Sequence, residues 1–395
     1  MPDFDERFRF GTATSATQIE GGCKSTDWYE FAAAGGAHGD VLDVACDHWL
    51  RYREDVELSA RLGLNAQRLS LEWARIEPED GRFDEHAVER YRAEIGALID
   101  AGVEPMLTLH HFSFPLWLAR RGGVLAPDMP QRLEVFARRM GRALGSSVRT
   151  WITINEPNVL AAQGYLFGVW PPAKQQPALL PKVTLQLRKA HRLAYRALHE
   201  SIPNARVGVA HHMRVATPKT KSLLDRAGAS VLDFAFNRLF LDLPQDFIGL
   251  NYYSRDLVRF ALDRPRDLFL ERSVGPGSDV SDLGWEIHPE GLGQLLRELA
   301  ARKLPIFITE NGIADAADTR RPSFLLSHLR QVAHAVKEGI DVRGYYHWSL
   351  LDNFEWAEGY APRFGLYAVD YATQTRTLRA SGDLYGQIAR ARSCS

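Results

Sequence analysis

The sequence predicts an α/β fold, a single (β/α)8 TIM barrel catalytic domain spanning residues 1–395, on three observations. Eight short apolar strand signals alternate with helical segments at broadly regular intervals. No composition break or Ser/Gly-rich linker divides the chain. Gln18, Arg68, His111, Asn155, Glu156, Asn251, Tyr253, Glu310 and Trp348 all fall at or just beyond strand C-termini, the face where such barrels keep their chemistry. An open doubly wound sheet is the competing arrangement, but no GxGxxG or GxxxxGK[ST] loop follows any strand.

Residues 8–14 alternate apolar and polar side chains as a first strand, followed by the loop that carries Gln18. Residues 47–62 have helical apolar spacing and close at Gly63, after which residues 65–70 form a second strand with Arg68 inside it. An arginine there is too costly to bury alone, so it is expected to meet an anion within the fold. Residues 83–101 read as a helix closed by Gly102, and residues 103–109 as a third strand running into His110 and His111. Neighbouring strand residues point to opposite faces, so at most one of these histidines looks inward.

The helix 129–144 leads to the fourth strand, whose β-branched run ends abruptly at Asn155-Glu156-Pro157. Pro157 has no N–H to give and stops the pairing. The helix 180–200 precedes the fifth strand at 207–210, which runs into His211 and His212; the helix 230–240 precedes the sixth at 246–250, tipped by Asn251-Tyr252-Tyr253. Isolated histidines of this kind are read as hydrogen-bonded core or loop residues, with no ligand spacing for a metal. The helix 291–302 leads to the seventh strand, 305–309, ending at Glu310. After the helix 324–337, the eighth strand, 342–348, opens into a polar and aromatic loop over 352–364, and a helix over 381–390 follows.

Composition narrows the function. Lys plus Arg number 48 against 49 Asp plus Glu, a net charge of −1, so no field gathers nucleic acid or anionic lipid. The three cysteines, Cys23, Cys46 and Cys394, show no CxxC spacing and cannot all pair, which points to a reducing, cytoplasmic location. No run of about 18 apolar residues is present. A small neutral partner fits, with no metal, organic cofactor or membrane; oligomeric state is not legible.

Two carboxylates, Glu156 and Glu310, sit on the tips of the fourth and seventh strands and converge over the barrel mouth. Paired carboxylates suit glycosidic bond cleavage, in which one protonates the departing oxygen while the other stabilises or attacks an oxocarbenium-like carbon. Trp170, Trp348, Phe354, Trp356, Tyr360 and Phe364 are expected on the same face, with Asp352, Glu355 and Glu358 among them. Sugars offer apolar C–H faces to such rings and hydroxyls to such carboxylates.

These residues carry a resemblance. Thr153-Ile154-Asn155-Glu156-Pro157 and Ile308-Thr309-Glu310-Asn311-Gly312 are similar to the acid/base and nucleophile signatures of glycoside hydrolase family 1, the β-glucosidase family. The run from Phe10 to Gly21 resembles its opening motif, and Trp348-Ser349-Leu350-Leu351-Asp352-Asn353-Phe354-Glu355-Trp356 its sugar-binding loop. The resemblance implies retaining hydrolysis of terminal β-D-glucosyl, and also β-D-galactosyl or β-D-fucosyl, residues from small glycosides. Glu310 would be the nucleophile, ionised beside Arg68, and Glu156 the protonated acid/base. Arg68, Asn251 and Tyr253 would support the nucleophile, while Gln18, His111, Asn155, Trp348, Glu355, Trp356 and Phe364 would bind substrate. Phe112 stands where the family usually has Trp, and residues 313–326 are shorter than in the family. A catalytically inactive sugar-binding barrel and a 6-phospho-β-glycosidase are the alternatives. Both glutamates and their support are retained, and Glu355 would repel a 6-phosphate.

Overall fold

The structure, a computed structural model, describes residues 3–394. Eight parallel strands close into a barrel: Arg9–Ala13 (β1), Ala66–Ser70 (β2), Glu104–His110 (β3), Thr150–Asn155 (β4), Arg206–Pro218 (β5), Phe247–Phe260 (β6), Ile306–Asn311 (β7) and Val342–Trp348 (β8). Their order is β5-β4-β3-β2-β1-β8-β7-β6, and pairing of β5 with β6 completes the ring. Helices His48–Arg61 (α1), Glu85–Asp100 (α2), Met129–Leu144 (α3), Leu180–Ser201 (α4), Leu223–Asp233 (α5), Pro289–Ala300 (α6), Arg321–Lys337 (α7) and Ala380–Ala391 (α8) cover the outside. Among the described residues no helix is long and apolar enough to cross a membrane.

The helix α2 shows how the sequence builds this layer. Asp84 caps it by accepting from the His86 and Ala87 amides. Ala87, Val88, Tyr91, Ile95 and Leu98 recur at helical spacing and are buried, and Gly102, at φ 75°, ends the run. Leu98 is fully buried, so Leu98→Ala is expected to cost about 2–5 kcal/mol. Inside the barrel Ala66, Met106, Ile152, Phe247, Phe307 and Tyr346 fill the lower layers and leave the upper mouth for polar groups.

Two elements differ from the sequence reading. The fifth and sixth strands run well past their expected ends, to Pro218 and Phe260, and Leu270–Ser273 pairs antiparallel with the end of β6. The charges that suggest loop in this segment are neutralised in place: Arg214 pairs with Asp256, Arg255 with Glu286 and Arg259 with Glu271. The helix expected over 230–240 instead begins at Leu223, capped by Ser222, and ends in a π turn, Phe234–Arg238.

Candidate active site

Both glutamates reach the barrel mouth through an extra residue in their strands. Against β5, Ile152 pairs with Gly208 and Asn155 with Ala210, so β4 spends three residues where β5 spends two. Against β6, Ile308 pairs with Leu250 and Glu310 with Asn251, an insertion of one residue in β7. Such a bulge reverses the alternation of side chains. Ile152 and Phe307 point into the barrel, and the bulges turn Asn155 and Glu310 inward as well. Glu156 then adopts a left-handed conformation, φ 41°, at the start of the turn Pro157–Ala161. Gly312 is required by close approach, since a Cβ there would lie 1.8 Å from the Trp348 carbonyl oxygen.

The two carboxylates are held differently. Glu310 Oε1 accepts from Arg68 Nη1 at 2.6 Å and Oε2 from the Tyr253 hydroxyl at 2.6 Å. Arg68 is fully buried and spends its other donors on Asn155 Oδ1, Thr108 Oγ1 and the Thr309 carbonyl. The anion expected for this arginine is therefore Glu310. Glu156 Oε1 accepts from Asn251 Nδ2 at 2.7 Å and lies 3.1 Å from His212 Nδ1. The Asn251 amide cannot be reversed, because its Oδ1 accepts from Thr309 Oγ1 at 2.6 Å.

Burial and the adjacent Glu156 raise Glu310 to about 7, against the pull of Arg68 and Tyr253. This corrects the expectation that Arg68 keeps Glu310 fully ionised: the cost of burying the charge exceeds what the cation returns. Tyr253 is pushed well above its ordinary value by burial and by Glu310, so it acts as a fixed donor.

Polar atoms around the pocket are left with a defined chemistry. Asn155 Oδ1 accepts from Arg68 and Asn251, so its Nδ2 donates to His111 Nε2 at 3.0 Å. Burial and Arg68 hold His111 well below its ordinary value, so it is neutral and its proton sits on Nδ1, which has no protein partner. Gln18 Nε2 donates to Asn353 Oδ1 and the Phe354 carbonyl, leaving Oε1 unpartnered, and Glu355 Oε2 is likewise unpartnered. Orphaned buried donors and acceptors cost about 1–3 kcal/mol each, which a ligand rich in hydroxyls relieves. Burial, together with Glu310 and Glu156, pushes Glu355 up to about 8. It is a neutral acid in the free protein at pH 7, so its repulsion of a 6-phosphate is weaker than that of a permanent carboxylate.

The pocket encloses 580 Å3 and is walled by Phe112, Trp170, Trp285, Trp348 and Trp356 as well as both glutamates. The His111 ring lies near-parallel to Trp348 at 6.0 Å and to Trp356 at 5.9 Å. Phe112, at φ 68°, packs edge-on to Trp170 and Trp356 and brings no N–H. Phe364 is not in the wall; it is buried behind it, edge-on to Tyr253 at 6.4 Å. Asp352 is also excluded, because Arg379 and Arg363 clamp it in the interior, so the acidic character of the loop is smaller than its sequence suggests. His110 packs against Phe114, and His211 pairs with Gln245. His212, read from sequence as a core or loop residue, is the site residue that reading missed. Its signal was its place beyond the fifth strand. Among the described residues no group of three His, Cys, Asp or Glu is arranged to hold a metal ion.

The glycosyl hydrolase family 1 model matches residues 1–244 and 238–394. The chain is 34% identical to beta-glucosidase A of Thermotoga maritima, covering 98% of each sequence. It is 33% identical to the bifunctional beta-D-glucosidase/beta-D-fucosidase of Bifidobacterium breve, covering 97% of each. Among solved structures, the beta-glycosidase from Pyrococcus horikoshii aligns with a TM-score of 0.94 at 39% identity, over 99% of this chain and 96% of that one. The T. maritima beta-glucosidase in complex with glucoimidazole aligns with a TM-score of 0.92 at 31% identity, over 99% of each.

Proposed function

Because the chain belongs to glycosyl hydrolase family 1, we propose that it cleaves terminal β-D-glucosyl residues from small glycosides with retention, and that it also accepts β-D-galactosyl or β-D-fucosyl residues. The observation that carries this reading is the unequal holding of two carboxylates in one pocket. Glu310 faces two donors and Glu156 faces the Asn251 amide.

Glu310 attacks the anomeric carbon while Glu156 gives its proton to the departing oxygen, which leaves as an alcohol. Ester formation removes the Glu310 charge, so Glu156 is then the only carboxylate of the pair and takes a proton from the incoming water. That water attacks the anomeric carbon and releases Glu310. Asn155, held by Arg68 and Asn251, is placed to bond the 2-hydroxyl. His111 Nδ1, Gln18 Oε1 and Glu355 supply a donor and two acceptors to other hydroxyls, above the Trp348 and Trp356 rings. Each step is proton transfer or displacement between side chains, sugar and water. We further take the whole chain as one catalytic unit acting in the cytoplasm, consistent with three free thiols.

The test is covalent trapping. A 2-deoxy-2-fluoro-β-glucoside with a dinitrophenyl leaving group should label one peptide, at Glu310, and the proton spectrum of an early hydrolysate should show the β-anomer first. A label on another residue, or the α-anomer first, overturns the assignment.

A further inference from the structure

A second cavity, of 160 Å3, adjoins the outer part of the active-site pocket. The two share Ala162, Phe167, Phe236, Asp267, Leu270 and Arg272 as a common wall. Beyond that wall the lining is aliphatic and aromatic, including Leu166, Leu180, Leu232, Leu239 and Phe240. The Asn158 amide at its edge is already spent on the carbonyls of His212 and Phe236.

The cavity's position follows from the Glu156 strand. Asn158 and Ala161, in the turn Pro157–Ala161, line it, and that turn begins directly after Glu156. The acid/base stands on the leaving-group side of a scissile bond, so this is the side on which an aglycone departs. The far end is equally apolar: Leu268, in the lining, is 49% exposed, and it is followed by Phe269 at 41%. Phe234, beside the lining residue Ala235, is 60% exposed. Leu268 and Phe269 both have positive φ, 57° and 61°, a backbone cost accepted where two large apolar side chains are held in water.

We propose that this cavity seats the aglycone, and that the preferred aglycone is an unbranched alkyl chain rather than a second sugar. The proposal rests on the β-glycosidase reading and specifies its substrate class. A sugar would bring hydroxyls into a space whose polar groups, Asp267 and Arg272, stand only at the shared wall. A chain brings none, and the volume suits about five or six methylene groups, each near the size of a water molecule at about 30 Å3. Burying each methylene is expected to raise kcat/KM about threefold.

The experiment measures kcat/KM of the full chain for ethyl, butyl, hexyl, octyl and decyl β-D-glucosides, with cellobiose and p-nitrophenyl β-glucoside alongside. The expected result is a climb of about threefold per methylene to hexyl or octyl and a plateau beyond it. Ala235→Trp, at an exposed position on the cavity mouth, should lower the hexyl-to-ethyl ratio at least about tenfold, and Leu239→Ala should move the plateau to longer chains. A flat series with normal p-nitrophenyl glucoside turnover, cellobiose outpacing hexyl glucoside, or unchanged ratios in both variants overturns the cavity assignment alone. Failure of every β-glucoside would overturn the underlying reading as well.

Discussion

Replacing Glu355 by Gln should stabilise the protein, and the gain should grow with pH. In the native pocket this carboxyl is raised from its ordinary 4.5 to about 8 by burial and by the charges of Glu310 and Glu156. The native state therefore holds the proton more tightly than the unfolded chain. Its contribution is fully present below pH 4.5, falls between 4.5 and 8, and is lost above 8. Such a shift corresponds to about 5 kcal/mol. Glu355 is only partly buried at the pocket wall, so water screens part of the effect and about 3 kcal/mol is the working figure. Glutamine keeps the shape of the neutral acid and never ionises. For a chain of 395 residues, about 3 kcal/mol moves Tm by about 4 °C. Thermal unfolding followed by circular dichroism at pH 5, 7 and 9 should show equal Tm values at pH 5 and the variant about 4 °C higher at pH 9. Glu358→Gln, a change at an exposed neighbour, is the control and should show no such trend. A Tm difference that stays flat with pH, or a wild type more stable than the variant at pH 9, would refute the reasoning.

Glu156→Gln should slow alkyl glucosides by at least about a hundredfold yet affect dinitrophenyl glucosides little, and azide should restore turnover as a glycosyl azide; equal losses on both substrates count against its role. Glu310 must be ionised to attack and lies at about 7, so the acid limb of kcat/KM should fall about tenfold per pH unit below that value. Tyr253→Phe removes the 2.6 Å hydrogen bond to Glu310 and should displace that limb upward by about one pH unit, measured on p-nitrophenyl β-glucoside across pH 5 to 9. His212→Asn keeps a polar neighbour near Glu156 but removes a titratable ring, so the basic limb should move while KM holds; an unmoved pH profile would make His212 a packing residue only.

Much of this molecule is written locally. Apolar β-branched runs, helical spacing closed by glycine, and Pro157 after Glu156 each act within a few residues, so the barrel and its carboxylate-bearing strand ends could be read in order. Arg68 was also legible, because a charged side chain in an apolar strand demands a counterion wherever the fold supplies it. What the tertiary structure decided depends on pairing between distant segments. The bulges that turn Asn155 and Glu310 inward exist only relative to β5 and β6. The charged extension of β6 is strand only because its charges find partners in other segments. Asp352, next to three residues of the sugar-binding motif, was drawn into the interior by Arg379 and Arg363. His212 became a neighbour of Glu156 through the packing of β5 beside β4. The titration of Glu310 and Glu355 belongs to the same class: a carboxyl's chemistry is set by its identity, but its proton affinity is set by the charges and the water that folding leaves around it.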